Sequence, residues 1–418
     1  MPTGFHLLIA AQFLSSLADN ALLIVAMARL QEQGWPVWWA PLLKFAFTIS
    51  YVVLAPVVGP LADAVPKARL MAWMNGVKVL GVLLLFTSVH PVLAYAVVGL
   101  GAAAYAPAKY GLVTELVPPR RLVAANGWIE ISIVCAALLG TVTGGGLVSA
   151  YFRHSALAHA VRHAVADSGV PLDSPLAASM ALLLLLYAAA SLLQWGVPDS
   201  GARYERRPCH LRALLCDFMD GNRVLWRDAE GGLSLAVTTL FWGVGATLQF
   251  AVLRWAQDCL RLPLDQAAYL QAVVAVGVVA GAALAGRLVA LHSAGRVLPA
   301  GVLLGLLISA VAMTRDFSLA LVLLAVVGMV GGILVVPMNA LLQHRGFQLL
   351  TAGRSIAVQG YNENLSSLVM LAVYAGLLAL EAPIVALMAL FGLAIALAML
   401  ALTVLRWRSG RAAAPQVS

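Results

Sequence analysis

Residues 59–69 read Gly59-Pro60-Leu61-Ala62-Asp63-Ala64-Val65-Pro66-Lys67-Ala68-Arg69, and they separate two long apolar runs, near 38–62 and 70–90. Each run reaches the roughly 20 apolar residues that a helix needs to cross a hydrocarbon core. A short polar turn between two such runs is a loop at a membrane face. The glycine permits close helix approach, the aspartate suits the positive N-terminal end of a neighbouring helix, and Lys67 and Arg69 are placed to brace it.

The rest of the chain agrees with that reading. Of 418 residues, 62% are hydrophobic and 11% charged, with a mean hydropathy of +0.92. No water-soluble domain tolerates that composition. Apolar stretches place spans near 5–30, 38–62, 70–90, 92–117, 123–150, 175–198, 233–258, 264–291, 296–315, 317–343, 354–381 and 383–406. The run from Phe5 to Arg29 is too long for a signal-peptide core and is read as the first span. The four cysteines, Cys135, Cys209, Cys216 and Cys259, show no metal-ligand spacing and are read as free thiols, with no metal or cofactor expected.

The formal charge of +8 is a question of position in a membrane protein, and no nucleic-acid partner is expected. Lys67, Arg69, Arg120, Arg121, Arg203, Arg206, Arg207, Arg212, Arg223, Arg227, Arg296 and Arg345 follow even-numbered spans, and Arg408 and Arg411 follow the last. The opposite loops carry few, among them Arg153, Arg162 and Arg261. The positive-inside rule places both termini in the cytoplasm. The longest connection, 199–232, separates six spans (1–198) from six (233–407), with a tail at 408–418. Pro107 matches Pro337, and Gly127-Trp128-Ile129-Glu130 matches Gly360-Tyr361-Asn362-Glu363, as two fused six-helix bundles would produce.

With twelve spans and a central loop around it, the 59–69 stretch resembles the loop 2-3 signature of the major facilitator superfamily. The expected fold is all-α and integral to the membrane, with twelve helices in two pseudo-symmetric bundles. Asp63 is expected to face the N-terminal end of the eleventh span, favouring closure toward the cytoplasm. The second-half counterpart, Gly281 to Arg296, has no matching aspartate.

A charge at the bilayer centre costs about 2.5 to 3.5 kcal/mol on insertion scales, so each needs a partner, a wet cavity or a task. Asp19 and Asn20 lie in span 1, Lys78 in span 3, Lys109 in span 4, Glu130 in span 5, and Glu363 with Asn362 and Asn364 in span 11. Lys44 and Arg254, nearer span ends, can snorkel. Asp19 has no polar exit and must face the interior, either in a fixed ion pair with Lys78 or Lys109 or as a contact for a cationic group or a proton. Lys109 lies beside Pro107, where a loosened helix opens space, and a compact ammonium suits a phosphate. Asn126 and Glu130 share one helix face and suit a gate or a substrate site, and Glu363 invites the same reading. Gly140, Gly144, Gly277 and Gly281 read as close helix packing. These features suit an amphiphile with a zwitterionic head, although drug transporters share them.

A narrower resemblance is carried by Ala11-Gln12-Phe13-Leu14, Asp19-Asn20-Ala21-Leu22-Leu23, Asn75-Gly76-Val77-Lys78-Val79-Leu80-Gly81, Pro107-Ala108-Lys109-Tyr110-Gly111, Ala125-Asn126-Gly127 and Val335-Val336-Pro337-Met338-Asn339-Ala340-Leu341-Leu342-Gln343. Over most of its length the chain resembles the bacterial lysophospholipid transporters. The resemblance implies an inner-membrane flippase that brings lysophosphatidylethanolamine and related lysolipids to the cytoplasmic leaflet. A separate acyltransferase dependent on acyl-carrier protein would reacylate them there. Where this family carries an arginine in span 7, the chain has Gln249. The expected substrate contacts are Asp19, Asn20, Lys78, Lys109 and Gln249, and the expected gating residues are Asp63, Lys67, Arg69, Asn126, Glu130 and Glu363. A monomer is expected.

The rival reading is a proton-coupled drug or solute exporter of the same fold, in which Asp19 and Glu130 titrate. An enzyme is not expected, because no His-Asp acyltransferase pair, nucleophile elbow or metal cluster is present in the sequence.

Overall fold

A computed structural model describes residues 3–36, 39–87, 89–166, 174–202, 204, 210–262 and 264–412. Arg203, Arg206, Arg207 and Cys209 of the central connection, and 413–418 of the tail, lie outside the described residues. The described chain is helical, with no strand among those residues. Its elements are α1 Thr3–Glu32, α2 Ala40–Val53, α3 Ala55–Ala64, α4 Lys67–Leu85, α5 Pro91–Leu116, α6 Leu122–Val148, α7 Ala150–Arg153, α8 Ala156–Ala166 and α9 Ala177–Trp195. They continue with α10 Leu211–Arg227, α11 Ala229–Cys259, α12 Leu264–Leu288, α13 Leu298–Met313, α14 Phe317–Leu349, α15 Ala352–Ala379 and α16 Ile384–Ala412.

Among the described residues, ten helices are long and apolar enough to cross a bilayer, and the broken pair α2–α3 would make eleven. α15 takes the place expected for the eleventh span but does not join the apolar set. It is long enough, at 28 residues, yet Gln359, Asn362, Glu363 and Asn364 crowd its middle. The run at 38–62, expected as one span, bends by 64° between α2 and α3. Pro56 stands at the start of α3, and its missing N–H cannot continue the α2 ladder, so the helix restarts at Leu54. The connection at 199–232 is not plain loop, because it contains α10, whose apolar residues recur at helical spacing. Asp228 then caps α11, accepting from the Gly231 N–H at 2.7 Å.

The chain packs as two compact units. The first comprises 1–118, 132–224 and 346–364. Its core holds Leu22, Val25, Leu43, Val98, Met180 and Tyr187. Within it α6 lies tight on α1: a Cβ at Gly140 would come within 2.6 Å of the Leu17 carbonyl oxygen, and one at Gly144 within 2.7 Å of that of Ala21. Only glycine allows the two backbones so near beside Asp19. The second unit comprises 119–131, 225–345 and 365–418, around Trp255, Leu298, Leu324 and Met338. There Gly277 and Gly281 of α12 press on the Ala325 and Met329 backbone of α14, the close packing that their spacing implied.

Candidate functional site

In the first unit one face of α1 presents Gln12, Ser15 and Asp19, at the three- and four-residue spacing that stacks side chains on a helix. Asn75 and Lys78 of α4 face them. Lys78 Nζ donates to Asp19 Oδ2 at 2.7 Å and to Ser15 Oγ at 2.9 Å. The Ser15 hydroxyl donates to Asn75 Oδ1 at 2.8 Å. Tyr187 of α9 donates its hydroxyl to Asp19 Oδ1 at 2.7 Å, and Tyr95 of α5 reaches the Asp19 backbone carbonyl at 3.3 Å. Of the two lysines considered as partners for Asp19, Lys78 holds the ion pair. Its ammonium also lies 4.9 Å from the Tyr105 ring centroid and 5.8 Å from that of Tyr187. This surround is what desolvation of two charges demands, since a buried pair persists only when its remaining donors and acceptors are met.

The pair is asymmetric. The Lys78 side chain is 2% exposed and that of Asp19 15%, so the carboxylate has an open edge while the ammonium does not. Asn75, itself wholly buried, keeps a side-chain N–H without a partner. Asn20 turns back on its own helix, donating to the Ser16 carbonyl at 2.8 Å.

Lys109 of α5 sits one turn or two along the same α1 face. Its Nζ donates to Gln12 Oε1 at 3.1 Å and lies 4.2 Å from the Tyr110 ring centroid. Gln12 Nε2 donates in turn to Ser132 Oγ of α6 at 2.9 Å. α5 runs through Pro107 as one helix, with Lys109 buried two residues beyond it. Gln12 and Asp19 are seven residues apart, about 10 Å along the helix axis. A carboxylate on α1 and an ammonium from α5 thus lie along one face of α1.

Of the residues expected to gate, Asp63 and Lys67 belong to a second cluster in the same unit. Asp63 accepts from the Gly353 N–H at 2.8 Å, from the Arg354 N–H at 3.3 Å and from the Thr351 hydroxyl, so it caps α15. Gly59 and Gly353 let α3 and α15 come together, because a Cβ on Gly353 would lie 2.6 Å from the Gly59 oxygen. The bracing differs from expectation. Lys67 pairs chiefly with Glu115 of α5 at 2.7 Å and is 3.5 Å from Asp63, whereas Arg69 is exposed. Glu115 also accepts from Ser200 at 2.5 Å and from the Tyr204 hydroxyl at 2.7 Å. Burial, then the hydrogen bond to Glu115, pushes the Tyr204 phenol well up. On the same unit, Glu363 accepts from Gln359 at 2.8 Å.

The second unit holds Asn126, Glu130 and Gln249. Asn126 and Gln343 exchange two side-chain amide hydrogen bonds, each 2.9 Å, between α6 and α14. Glu130, one turn further along α6, is buried. Gln249 is exposed on α11, and its backbone carbonyl accepts from the Gln271 side chain at 2.8 Å.

The family model described as Major Facilitator Superfamily matches residues 8–346. The lysophospholipid transporter LplT of Yersinia pestis is 40% identical over 380 residues, covering 90% of this chain and 87% of that protein. The same protein of Yersinia pseudotuberculosis matches equally. The chain belongs to the lysophospholipid transporter family of the major facilitator superfamily. Among solved structures, this family member resembles the fucose:proton symporter of E. coli, with a TM-score of 0.75 at 14% identity over 96% of this chain and 98% of that one. It also resembles the human organic anion transporter MFSD10, with a TM-score of 0.72 at 14% identity over 96% and 100%. At that identity the likeness speaks for the fold alone.

Residues of the transporter's polar clusters that escaped individual notice in the sequence include Gln12, Ser15, Asn75, Glu115 and Gln343. Gln12 and Ser15 carried a signal, the helical spacing to Asp19. Asn75 stands three residues before Lys78, on the same face. Glu115 and Gln343 sit near span ends, where a polar residue is ordinary, so nothing local set them apart. Tyr187 was invisible for another reason, since an aromatic in an apolar run reads as core.

Proposed function

We propose that this protein moves lysophospholipids, lysophosphatidylethanolamine among them, across a bacterial inner membrane to the cytoplasmic leaflet. One observation carries the substrate class: relatives 40% identical over 90% of the chain are named lysophospholipid transporters. The α1 face supports it chemically. Asp19 meets the ethanolamine ammonium at its open edge while Lys78, locked behind it, fixes the carboxylate. Lys109 meets the phosphate as a compact point charge. The acyl chain stays in apolar surroundings while the headgroup crosses, as two six-span halves, 1–198 and 233–407, alternate in access. α15 serves as the eleventh of twelve spans, and both termini are cytoplasmic. Gln249 leaves the phosphate more dependent on Lys109. Asp63, Lys67, Asn126, Glu130 and Glu363 act at the gates. The carrier works as a monomer, and a separate acyltransferase using acyl-carrier protein restores the diacyl lipid.

Transport by Asp19→Asn and Lys109→Gln variants tests the site. Each is expected to fold and to lose most lysolipid uptake; intact uptake by both would overturn the assignment. Uptake that follows an imposed pH gradient and ignores the headgroup would favour the proton-coupled exporter.

A further inference from the structure

α10 is a short helix of 17 residues, about 25 Å long, between the last span of the first half and α11. At 100° per residue its surface divides into three arcs, the first two overlapping at Leu211 and Asn222. One is bound to the protein. Asp217 pairs with Arg354 at 2.7 Å, Phe218 packs edge-on against Tyr361 at 5.2 Å between ring centroids, and Asn222 accepts from Asn362 at 2.9 Å. Gly221 and Leu225 are buried on that side. The next arc carries Leu211, Leu215, Met219 and Trp226, which are 65%, 45%, 56% and 41% exposed. The third carries Arg212, Arg223 and Arg227 with Asp220 and Cys216, all exposed. Asp220 is only loosely matched to Arg223, at 3.7 Å.

An apolar stripe flanked by basic residues, on a helix too polar to span, is the pattern of a helix lying in a membrane interface. The occupant is fixed by position and charge. α10 is anchored to the first turns of α15 and joined through Asp228 alone to α11, so it lies at a membrane face. The arginines border the stripe on its solvent side, where acidic headgroups would stand. We propose that α10 beds its Leu211–Leu215–Met219–Trp226 stripe into the adjacent leaflet and holds acidic phospholipid headgroups with Arg212, Arg223 and Arg227. Through Asp217 and Asn222 this seating holds the start of α15 in place. The proposal concerns the surrounding bilayer and does not rest on the lysolipid reading.

Single-cysteine spin labels at 215, 216, 219 and 220, in protein reconstituted into nanodiscs of phosphatidylcholine with or without phosphatidylglycerol, test it. The ratio of oxygen to water-soluble nickel accessibility is expected to be several-fold higher at 215 and 219 than at 216 and 220. That contrast should widen with phosphatidylglycerol and shrink in an Arg212→Gln, Arg223→Gln, Arg227→Gln variant, each arginine shifting seating by about fivefold. Equal nickel accessibility at all four sites would overturn it. So would spin–spin broadening at 215, which would mean a second copy on the stripe, or immersion indifferent to both phosphatidylglycerol and the arginines.

Discussion

At the scale of single residues the molecule turns on how a membrane interior tolerates Asp19 and Lys78. Their 2.7 Å pair, with Tyr187, Ser15 and Asn75 around it, is a structure in its own right. Removing either charge alone leaves the other buried without a counter-charge, a loss of about 3 to 5 kcal/mol. Asp19→Asn and Lys78→Gln should each lower the thermal midpoint of purified protein, and the double variant should regain much of it. Transport separates structure from function. The double variant is expected to remain inactive, because the substrate ammonium then has no carboxylate to meet, whereas full activity would reduce the pair to scaffolding. The sequence made Asp19 legible because a charge amid apolar residues must be answered, by a fixed pair with Lys78 or Lys109 or by a cationic group or a proton. It could not choose, since both lysines lie on neighbouring helices and only packing decides which one faces α1.

At the scale of elements, the helix ends are held by specific caps and pairs. Asp63 caps α15, Lys67 ties α5 to the α3–α4 turn, and Arg345 of α14 reaches the N-cap of α11. Arg345 meets the Asp228 carboxylate at 2.6 and 3.1 Å. Its guanidinium, helped by the Gly231 N–H, holds Asp228 below the ordinary aspartate value of 3.8. A depressed folded value means that the stability it adds is full above that ordinary value and is lost as pH falls through the lower, folded one. Asp228→Asn should therefore lower the thermal midpoint at neutral pH, with the gap to the unaltered protein closing on acidification through the carboxylate range. A gap constant in pH would show that the pairing carries no such weight. Element reading from sequence succeeded where apolar runs were long. It merged α2 with α3 because one proline near the start of a helix is compatible with either a kink or a restart. It passed over α10 because a 17-residue helix carrying several Arg and Asp is too short and too polar to read as a span.

At the scale of the whole molecule, the class was legible from composition alone, since 62% hydrophobic residues leave only the bilayer as solvent. The count of spans was less so. α15 mixes polar residues into a helix of span length, so apolarity alone finds ten helices among the described residues, or eleven with the broken pair. Twelve spans would put both termini on one side. Reporter fusions at the C-terminus are expected to be fluorescent as green fluorescent protein and inactive as alkaline phosphatase, the signature of a cytoplasmic end; the reverse would contradict the proposed topology. That this carrier accepts a lysolipid is tested by uptake of labelled lysophosphatidylethanolamine into spheroplasts that lack their own transporter. Protein-dependent uptake, with a non-lipid solute left outside, is the result predicted. Well-expressed protein in the membrane that moves no lysolipid would contradict it.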